Sequence, residues 1–155
     1  MYRFHGEYEV TLDAKGRFLL PAGFKKQLPE NENIEFFLNR GIEKCLTLYP
    51  VKVWEAIYDK VMARNYFDGE DRLFQRRFLN GVTKMELDTA GRMLIPPSLK
   101  EYAGLGKDIV LVTMGDRMEI WDKAKHQQFL DSLEADDDKF SALAQKVMGN
   151  KDAGE

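Results

Sequence analysis

The sequence LDAKGRFLLP, residues 12–21, recurs 75 positions later as LDTAGRMLIP, residues 87–96. Over the 14 positions that begin at these leucines, seven residues are identical in the two copies. A match at a fixed period indicates a duplicated structural unit. Because duplicated units usually pack about a pseudo-twofold axis, we expect Arg17 and Arg92, the arginines of the two copies, to form one paired surface.

Hydrophobic periodicity and turn residues predict the same order of elements in both copies. In the first copy, the predicted strands cover residues 8–12, 17–20, 34–38 and 45–49, with helices at 22–28 and from Pro50 through Val61, and a turn at 39–41. In the second copy, the strands cover residues 83–87, 92–95, 109–113 and 117–121, with helices at 96–102 and 123–133.

The duplication divides the chain into four predicted segments. Two units with their helices, residues 8–64 and 83–133, flank a central linker, residues 65–82. The linker is predicted to hold a helix at 68–79 whose apolar side chains, among them Leu73 and Phe74, pack on the body. The last segment, 134–155, is an acidic tail that is partly helical, over 136–148, or disordered, from Gly149 onward.

The charge of the chain is unevenly distributed. The net charge is −3, but residues 131–155 carry −4 and residues 1–130 carry +1. Net charge therefore neither requires nor excludes a nucleic-acid partner. The single cysteine, Cys45, fits a reducing compartment. The sequence has neither a signal-peptide pattern at its start nor an apolar run long enough to span a membrane, so we expect a cytoplasmic protein without a membrane partner.

Each copy places a lysine or alanine, a glycine and an arginine in a predicted tight turn. In the first copy, Gly16 can adopt a positive φ, and Lys15 and Arg17 flank it. An arginine fork can pair with guanine or straddle a phosphate, while a lysine suits a phosphate. The turn is therefore a candidate DNA-facing hairpin.

The residues alone favour a purely structural interpretation of the same turns. Asp13 and Arg17, like Asp88 and Arg92, could form ion pairs that only hold the turn, as most surface ion pairs do no more than this. In either reading the aspartates orient the arginines or cap the turn. Gly16 and Gly91 then support the turn backbone.

The doubled motif, Asp-x-Lys-Gly-Arg and Asp-x-Ala-Gly-Arg, each followed by three apolar residues, a proline and a helix, resembles the MraZ family. The resemblance covers nearly all of residues 1–133 and includes the aromatic ends of two strands, Tyr49 and Trp121. It implies two SpoVT–AbrB-type swapped-hairpin units, a β-rich α+β fold packed as a pseudo-twofold dimer with flanking helices.

The resemblance also implies a function. It predicts a transcriptional regulator that binds double-stranded DNA as a ring-like homo-oligomer, at the nucleoid, on repeated promoter elements of the division and cell-wall gene cluster, including its own promoter. The implied DNA-binding residues are Lys15, Arg17, Arg92 and Arg3, of which Arg3 would act as an N-terminal arm. Ala90 stands where the first copy has Lys15, so the two turns differ in charge.

Other function classes have less support in the sequence. An antitoxin-type or scaffold module that binds a protein partner through the acidic tail is the alternative. An enzyme is not expected, because no catalytic motif occurs, and Cys45 lies in an apolar strand where a packing role is expected. The two histidines, His5 and His126, lack metal-ligand spacing, so no metal, cofactor or small-molecule substrate is expected.

Overall fold

The structure, a computed structural model, describes residues 2–30 and 34–149. The chain divides into two compact units, residues 1–123 and 124–155. The first unit holds every strand of the described residues.

The elements of the first copy follow the predicted order. They are β1 (Glu7–Thr11), β2 (Arg17–Leu19), α1 (Ala22–Lys25), β3 (Phe36–Arg40), β4 (Leu46–Pro50) and α2 (Val51–Met62), followed by the central helix α3 (Gly69–Phe78). The second copy contains β5 (Thr83–Met85), β6 (Arg92–Leu94), α4 (Pro97–Ala103), β7 (Asp108–Met114), β8 (Arg117–Asp122) and α5 (Lys123–Glu134). The tail forms α6 (Asp137–Ala144) and a π-helical turn (Gln145–Gly149).

The strands are exchanged between the two copies. The large sheet has the order β1-β7-β8-β4-β3-β5, so β1 of the first copy pairs with β7 of the second, and β5 of the second pairs with β3 of the first. At the centre of the sheet, β4 pairs with β8, with Thr47 opposite Glu119. If each strand is replaced by its counterpart in the other copy, the order read from one edge is the same as the order read from the other edge. This is the pattern of a pseudo-twofold axis between β4 and β8. The predicted fold class, two swapped-hairpin units in an α+β fold, is confirmed.

A second, two-stranded sheet joins the turns of the two copies. β2 pairs antiparallel with β6, and Phe18 lies opposite Met93, its counterpart in the duplication. Both side chains are fully buried in the main hydrophobic core, together with Leu20 and Ile95, which follow the two strands. Since apolar burial is worth roughly 25 cal/mol per Å², these residues fix the ribbon firmly on the body.

One predicted turn is wrong. Asn39 and Arg40, read from the sequence as turn residues, are the last two residues of β3. Asn39 is fully buried and its Nδ2 donates to the carbonyl of Phe78 at 2.7 Å, while Arg40 Nε donates to the carbonyl of Asn80 at 3.0 Å. These polar side chains bind the end of α3 instead of turning the chain, and the reversal follows at residues 41–45.

The central helix is confirmed, but its predicted packing is partly wrong. Asp68 caps α3 by accepting from the N–H of Asp71. Leu73 and Phe74, expected to pack on the body, are exposed by 66% and 49%. Contact with the rest of the unit uses Phe78, whose ring stacks on that of Trp54 with centroids 6.0 Å apart, and Gln75, whose Nε2 donates to the carbonyls of Val61 and Arg64.

The acidic tail is helical where the structure describes it. The predicted helix over 136–148 is present as α6 and the π-helical turn, and Asp136 caps it by accepting from the N–H of Lys139. Disorder was predicted from Gly149 onward; this is wrong for Gly149, the last residue of the π-helical turn, and residues 150–155 lie outside the described residues. In the described part of the chain, the helices are too short or too polar to cross a bilayer.

Candidate nucleic-acid interface

The first Asp-x-x-Gly-Arg turn is held by one carboxylate. Oδ1 of Asp13 accepts from the N–H groups of Lys15 and Arg17, each at 2.9 Å. Oδ2 accepts from Nε of Arg17 at 2.8 Å. The backbone closes the turn, because the N–H of Gly16 donates to the carbonyl of Asp13 at 3.0 Å. The side chain of Arg17 is therefore fixed in direction by the same residue that shapes the turn.

The second turn repeats this geometry. Oδ1 of Asp88 accepts from the N–H groups of Ala90 and Arg92, each at 2.9 Å, and Oδ2 accepts from Nε of Arg92 at 2.9 Å. In the described residues, each arginine binds its aspartate through Nε, and these hydrogen bonds do not use the terminal Nη groups. Each turn thus combines an ion pair with an arginine side chain that is only partly buried, 26% exposed in Arg17 and 37% in Arg92.

The two turns are also joined to one another. The carbonyl of Gly16 accepts from the N–H of Ile95 at 3.0 Å, and the carbonyl of Gly91 accepts from the N–H of Leu20 at 3.2 Å. Both glycines have positive φ, +85° and +82°, a backbone conformation that costs other L-residues energy. Each turn is therefore completed by a strand of the other copy.

Pairing of β2 with β6 sorts the side chains onto two faces. Arg17 lies opposite Leu94 and Leu19 lies opposite Arg92, on the face away from the buried Phe18. Directly opposite residues have Cβ atoms about 4.5–5.5 Å apart, and diagonal ones are roughly 7–8 Å apart. We call the face formed by Arg17, Leu19, Arg92 and Leu94 the ribbon face. It brings both arginines close together.

The leucines of the ribbon face were not predicted as functional residues. Leu19 and Leu94 are exposed by 56% and 53%, although each lies between buried neighbours. Side chains alternate along a strand, so the two leucines are expected on the other face of the ribbon from Phe18 and Met93. The sequence did not show this, because an unbroken apolar run has no polar residue that marks the outer face.

The carboxylates of both turns are stabilised in the charged form. The backbone N–H of Arg17 lowers the pKa of Asp13, assisted by the Arg17 side chain and the N–H of Lys15, against an opposing effect of desolvation. The N–H of Arg92 lowers the pKa of Asp88 in the same way. Hydrogen bonds to a carboxylate favour its ionised form, so the turns keep their shape at neutral pH.

The structure separates Arg3 from the other predicted contacts. The N–H of Phe4 donates to the carbonyl of Gly115 at one end of β7, whereas the N–H of Leu12 donates to the carbonyl of Lys107 beyond the other end. Arg3 is exposed and lies at the opposite end of β1 from the Asp13 turn. Lys15, at the tip of that turn, is exposed beside Arg17.

The cysteine and the potential metal ligands of the described residues were also located. Cys45 is fully buried, and desolvation, together with nearby Glu119 and Glu43, raises the pKa of its thiol. Within residues 2–30 and 34–149, no cluster of three or more His, Cys, Asp or Glu side chains could hold a metal ion.

Comparison with known proteins identifies the family. The chain matches the family described as "MraZ protein, putative antitoxin-like" twice, at residues 3–77 and 78–148. It is 45% identical over 145 residues to the transcriptional regulator MraZ of Cytophaga hutchinsonii, covering 94% of both chains. It is 41% identical over 153 residues to the protein of the same name from Christiangramia forsetii, covering 98% of this chain and 97% of that one.

A more distant relative gives the same result. The transcriptional regulator MraZ of Moorella thermoacetica is 35% identical over 145 residues, which cover 94% of this chain and 96% of the relative. The two family matches divide the chain between its two Asp-x-x-Gly-Arg turns, in agreement with the duplication. The chain belongs to the MraZ family.

Proposed function

We propose that this protein is a sequence-specific regulator of transcription that binds double-stranded DNA through the ribbon face. The observation that carries the proposal is the placement of Arg17 and Arg92 on the same face of the ribbon, where each is held by an aspartate through Nε. The three relatives described above are named as transcriptional regulators, and none of them as an enzyme.

The dimensions of the ribbon face suit duplex DNA. The major groove, about 12 Å wide, admits a two-stranded β-ribbon, and an arginine fork there pairs with the O6 and N7 atoms of guanine. Leucine side chains between the arginines offer apolar surface of the kind that contacts the methyl group of thymine. In this proposal Lys15 contacts a phosphate beside Arg17, and Asp13, Gly16, Asp88 and Gly91 hold the two turns.

Strong binding in this proposal requires several subunits on one DNA. One subunit makes few phosphate contacts, each of which adds about −0.9 to the slope of log K against log salt. Linked subunits gain roughly 10²–10⁴ in avidity, so we propose a ring-like homo-oligomer on short promoter repeats. The proposed targets are the division and cell-wall gene cluster and the protein's own promoter, which places it at the nucleoid in the cytoplasm.

Support for self-association comes from the exposed apolar residues around α3. Ile42, Leu73 and Phe74 line an open cleft of about 350 Å³ and are 49–76% exposed. Apolar patches of this kind commonly mark protein–protein contacts. Light scattering of a Leu73→Ser, Phe74→Ser variant should show a smaller particle than the wild type if this surface joins subunits.

The proposal is tested by fluorescence anisotropy with a repeat-containing duplex from the protein's own upstream region and a scrambled duplex. The wild type should bind the repeats tightly and with strong salt dependence. Arg17→Ala should lose this preference while its particle size and melting temperature stay unchanged. Equal, weak binding of the wild type to both duplexes would refute the proposal, and unfolding of Arg17→Ala would favour a purely structural turn.

One observation favours a second candidate function, an antitoxin-type protein-interaction module. In the tail unit, Phe140, Leu143 and Val147 lie at helical spacing and are 46–71% exposed. An acidic helix with an exposed apolar face is suited to a partner protein. Capture of a partner that depends on residues 134–155 and not on Arg17 would support this alternative.

A further inference from the structure

The two turns differ in sequence at one charged position. Lys15 precedes Gly16 in the first turn, whereas Ala90 precedes Gly91 in the second. The hydrogen bonds within the turns are otherwise equivalent to within about 0.1 Å. If both turns contact the phosphate backbone of a duplex, the second turn has no residue of its own that corresponds to the phosphate-binding Lys15.

The structure supplies a cation at that turn from the other copy. A Cβ atom built on Gly91 would lie 2.8 Å from Nζ of Lys25 and 3.8 Å from its Cε. Lys25 is the last residue of α1, in the first copy, and its side chain is exposed. The ammonium group therefore lies directly beside the glycine of the second turn.

The duplication provides the matching position for comparison. Lys100 occupies in the second copy the place that Lys25 has in the first. A Cβ built on Gly16 meets only the carbonyl oxygen of Ile95, at 3.6 Å, within 4 Å. Lys100 thus does not come within 4 Å of this position at the first turn, where Lys15 is already present. The lysine that reaches across is found only at the turn that lacks its own.

The ammonium of Lys25 also remains available for a ligand. Across residues 2–30 and 34–149, no carboxylate forms an ion pair with it. A lysine is a flexible point charge that suits a phosphate oxygen. Arg92 of the same turn extends from the ribbon face nearby.

We propose that Lys25 is the phosphate-contacting residue of the second turn and takes there the part that Lys15 takes in the first. The ligand is a backbone phosphate of duplex DNA. This inference rests on the proposed function, because it assumes that the ribbon face meets a duplex. It assigns to the second turn a residue that lies outside the turn in sequence.

The test compares Lys25→Met with Lys100→Met. Methionine keeps an unbranched apolar stem and removes the terminal ammonium group. For the repeat duplex, Lys25→Met should weaken binding about fivefold per engaged subunit at 0.15 M salt, and should reduce the salt slope by about 0.9 per engaged subunit. Lys100→Met should bind as the wild type does, and both variants should keep its melting temperature and particle size.

A rescue variant separates a lost phosphate contact from a disturbed turn. Adding Ala90→Lys to Lys25→Met returns a cation to the second turn and should restore both the affinity and the salt slope. Equal slopes for Lys25→Met, Lys100→Met and the wild type would overturn the inference while leaving the proposed function intact. Failure of the wild type to prefer the repeat duplex, by contrast, would refute the proposed function itself.

Discussion

Phe18 lies directly opposite Met93 in the pairing of β2 with β6, although 75 residues separate them in the chain. These are the same position in the two copies, so the pseudo-twofold axis passes between them. Both side chains are fully buried. The arginines one residue before each of them are consequently related by the same axis and share one face of the ribbon.

The buried and exposed sides of the ribbon should differ sharply in their contribution to stability. Phe18→Ala removes a buried ring from the core and should lower the free energy of unfolding by about 3–5 kcal/mol. Leu19→Ala, on the exposed face, should change it by less than about 1 kcal/mol. Urea denaturation followed by circular dichroism measures both, and similar losses would contradict the assignment of the two faces.

Arg92 should matter for DNA binding about as much as Arg17, because both have the same hydrogen bonds to their aspartates. Arg92→Ala should cost about 1–3 kcal/mol of binding free energy for the repeat duplex. Arg64→Ala is the control, since Arg64 is a surface arginine that also pairs with an aspartate, Asp71. Anisotropy titrations measure both affinities. If Arg92→Ala binds the repeat duplex as tightly as the wild type does, only the first turn contacts the bases.

Asp13 and Asp88 should titrate below the ordinary aspartate pKa of about 3.9. Because folding lowers both pKa values, their contribution to stability is fully present above the unfolded pKa and is lost as the pH falls through the folded pKa. NMR titration of the carboxyl carbons should show both midpoints below 3.9, and the turns should be unchanged from pH 5 to pH 8.

Asp13→Asn should weaken DNA binding although Arg17 is retained; unaltered affinity would mean that the carboxylate does not position the arginine.

Gly16 and Gly91 should resist substitution for the same backbone reason. Alanine at a positive φ costs roughly 1–2 kcal/mol. Gly91→Ala carries a second penalty, because its Cβ would lie 2.8 Å from Nζ of Lys25 and displace that side chain. Thermal unfolding should show a loss in both variants, and the salt slope of DNA binding should fall more in Gly91→Ala than in Gly16→Ala. A larger fall of the salt slope in Gly16→Ala than in Gly91→Ala would contradict the position of Lys25 beside Gly91.

Cys45 should be unreactive in the folded protein. Its side chain is fully buried, and desolvation raises the pKa of the thiol, so the reactive thiolate is scarce. Ellman's reagent should label the protein in denaturant and leave the native form essentially unlabelled over the same period. Rapid labelling of the native protein would contradict a packing role.

The repeated motif allowed both turns and the order of most elements to be predicted. Asp, Gly and Arg recur at the same spacing, and their local hydrogen bonds need no partner from elsewhere. Asn39 misled the prediction because its partner, the carbonyl of Phe78, lies on α3, far away in sequence. A polar residue whose partner is remote resembles a turn residue when only its neighbours are considered.

The exchange of strands explains what else the sequence left hidden. Lys25 and Lys100 are equivalent positions of the duplication, although Lys26 follows the first and Glu101 the second. Pairing of β2 with β6 joins the turns of the two copies, and Lys25 lies beside Gly91 in the folded chain, a contact that the sequence does not show. Arg3 was predicted, like Lys15, to contact DNA, but the strand β1 separates the two residues. The role of Arg3 in DNA binding stays a prediction.

The most direct test of the account is site-specific photo-crosslinking to a labelled repeat duplex. A benzoylphenylalanine placed at Leu94 lies on the ribbon face, and one placed at Phe67, which is 87% exposed between α2 and α3, serves as the control. The account predicts a crosslink from position 94 that unlabelled repeat DNA competes away, and none from position 67. Crosslinking from position 67 alone, or equally from both positions, would contradict the assignment of the ribbon face as the DNA-binding surface.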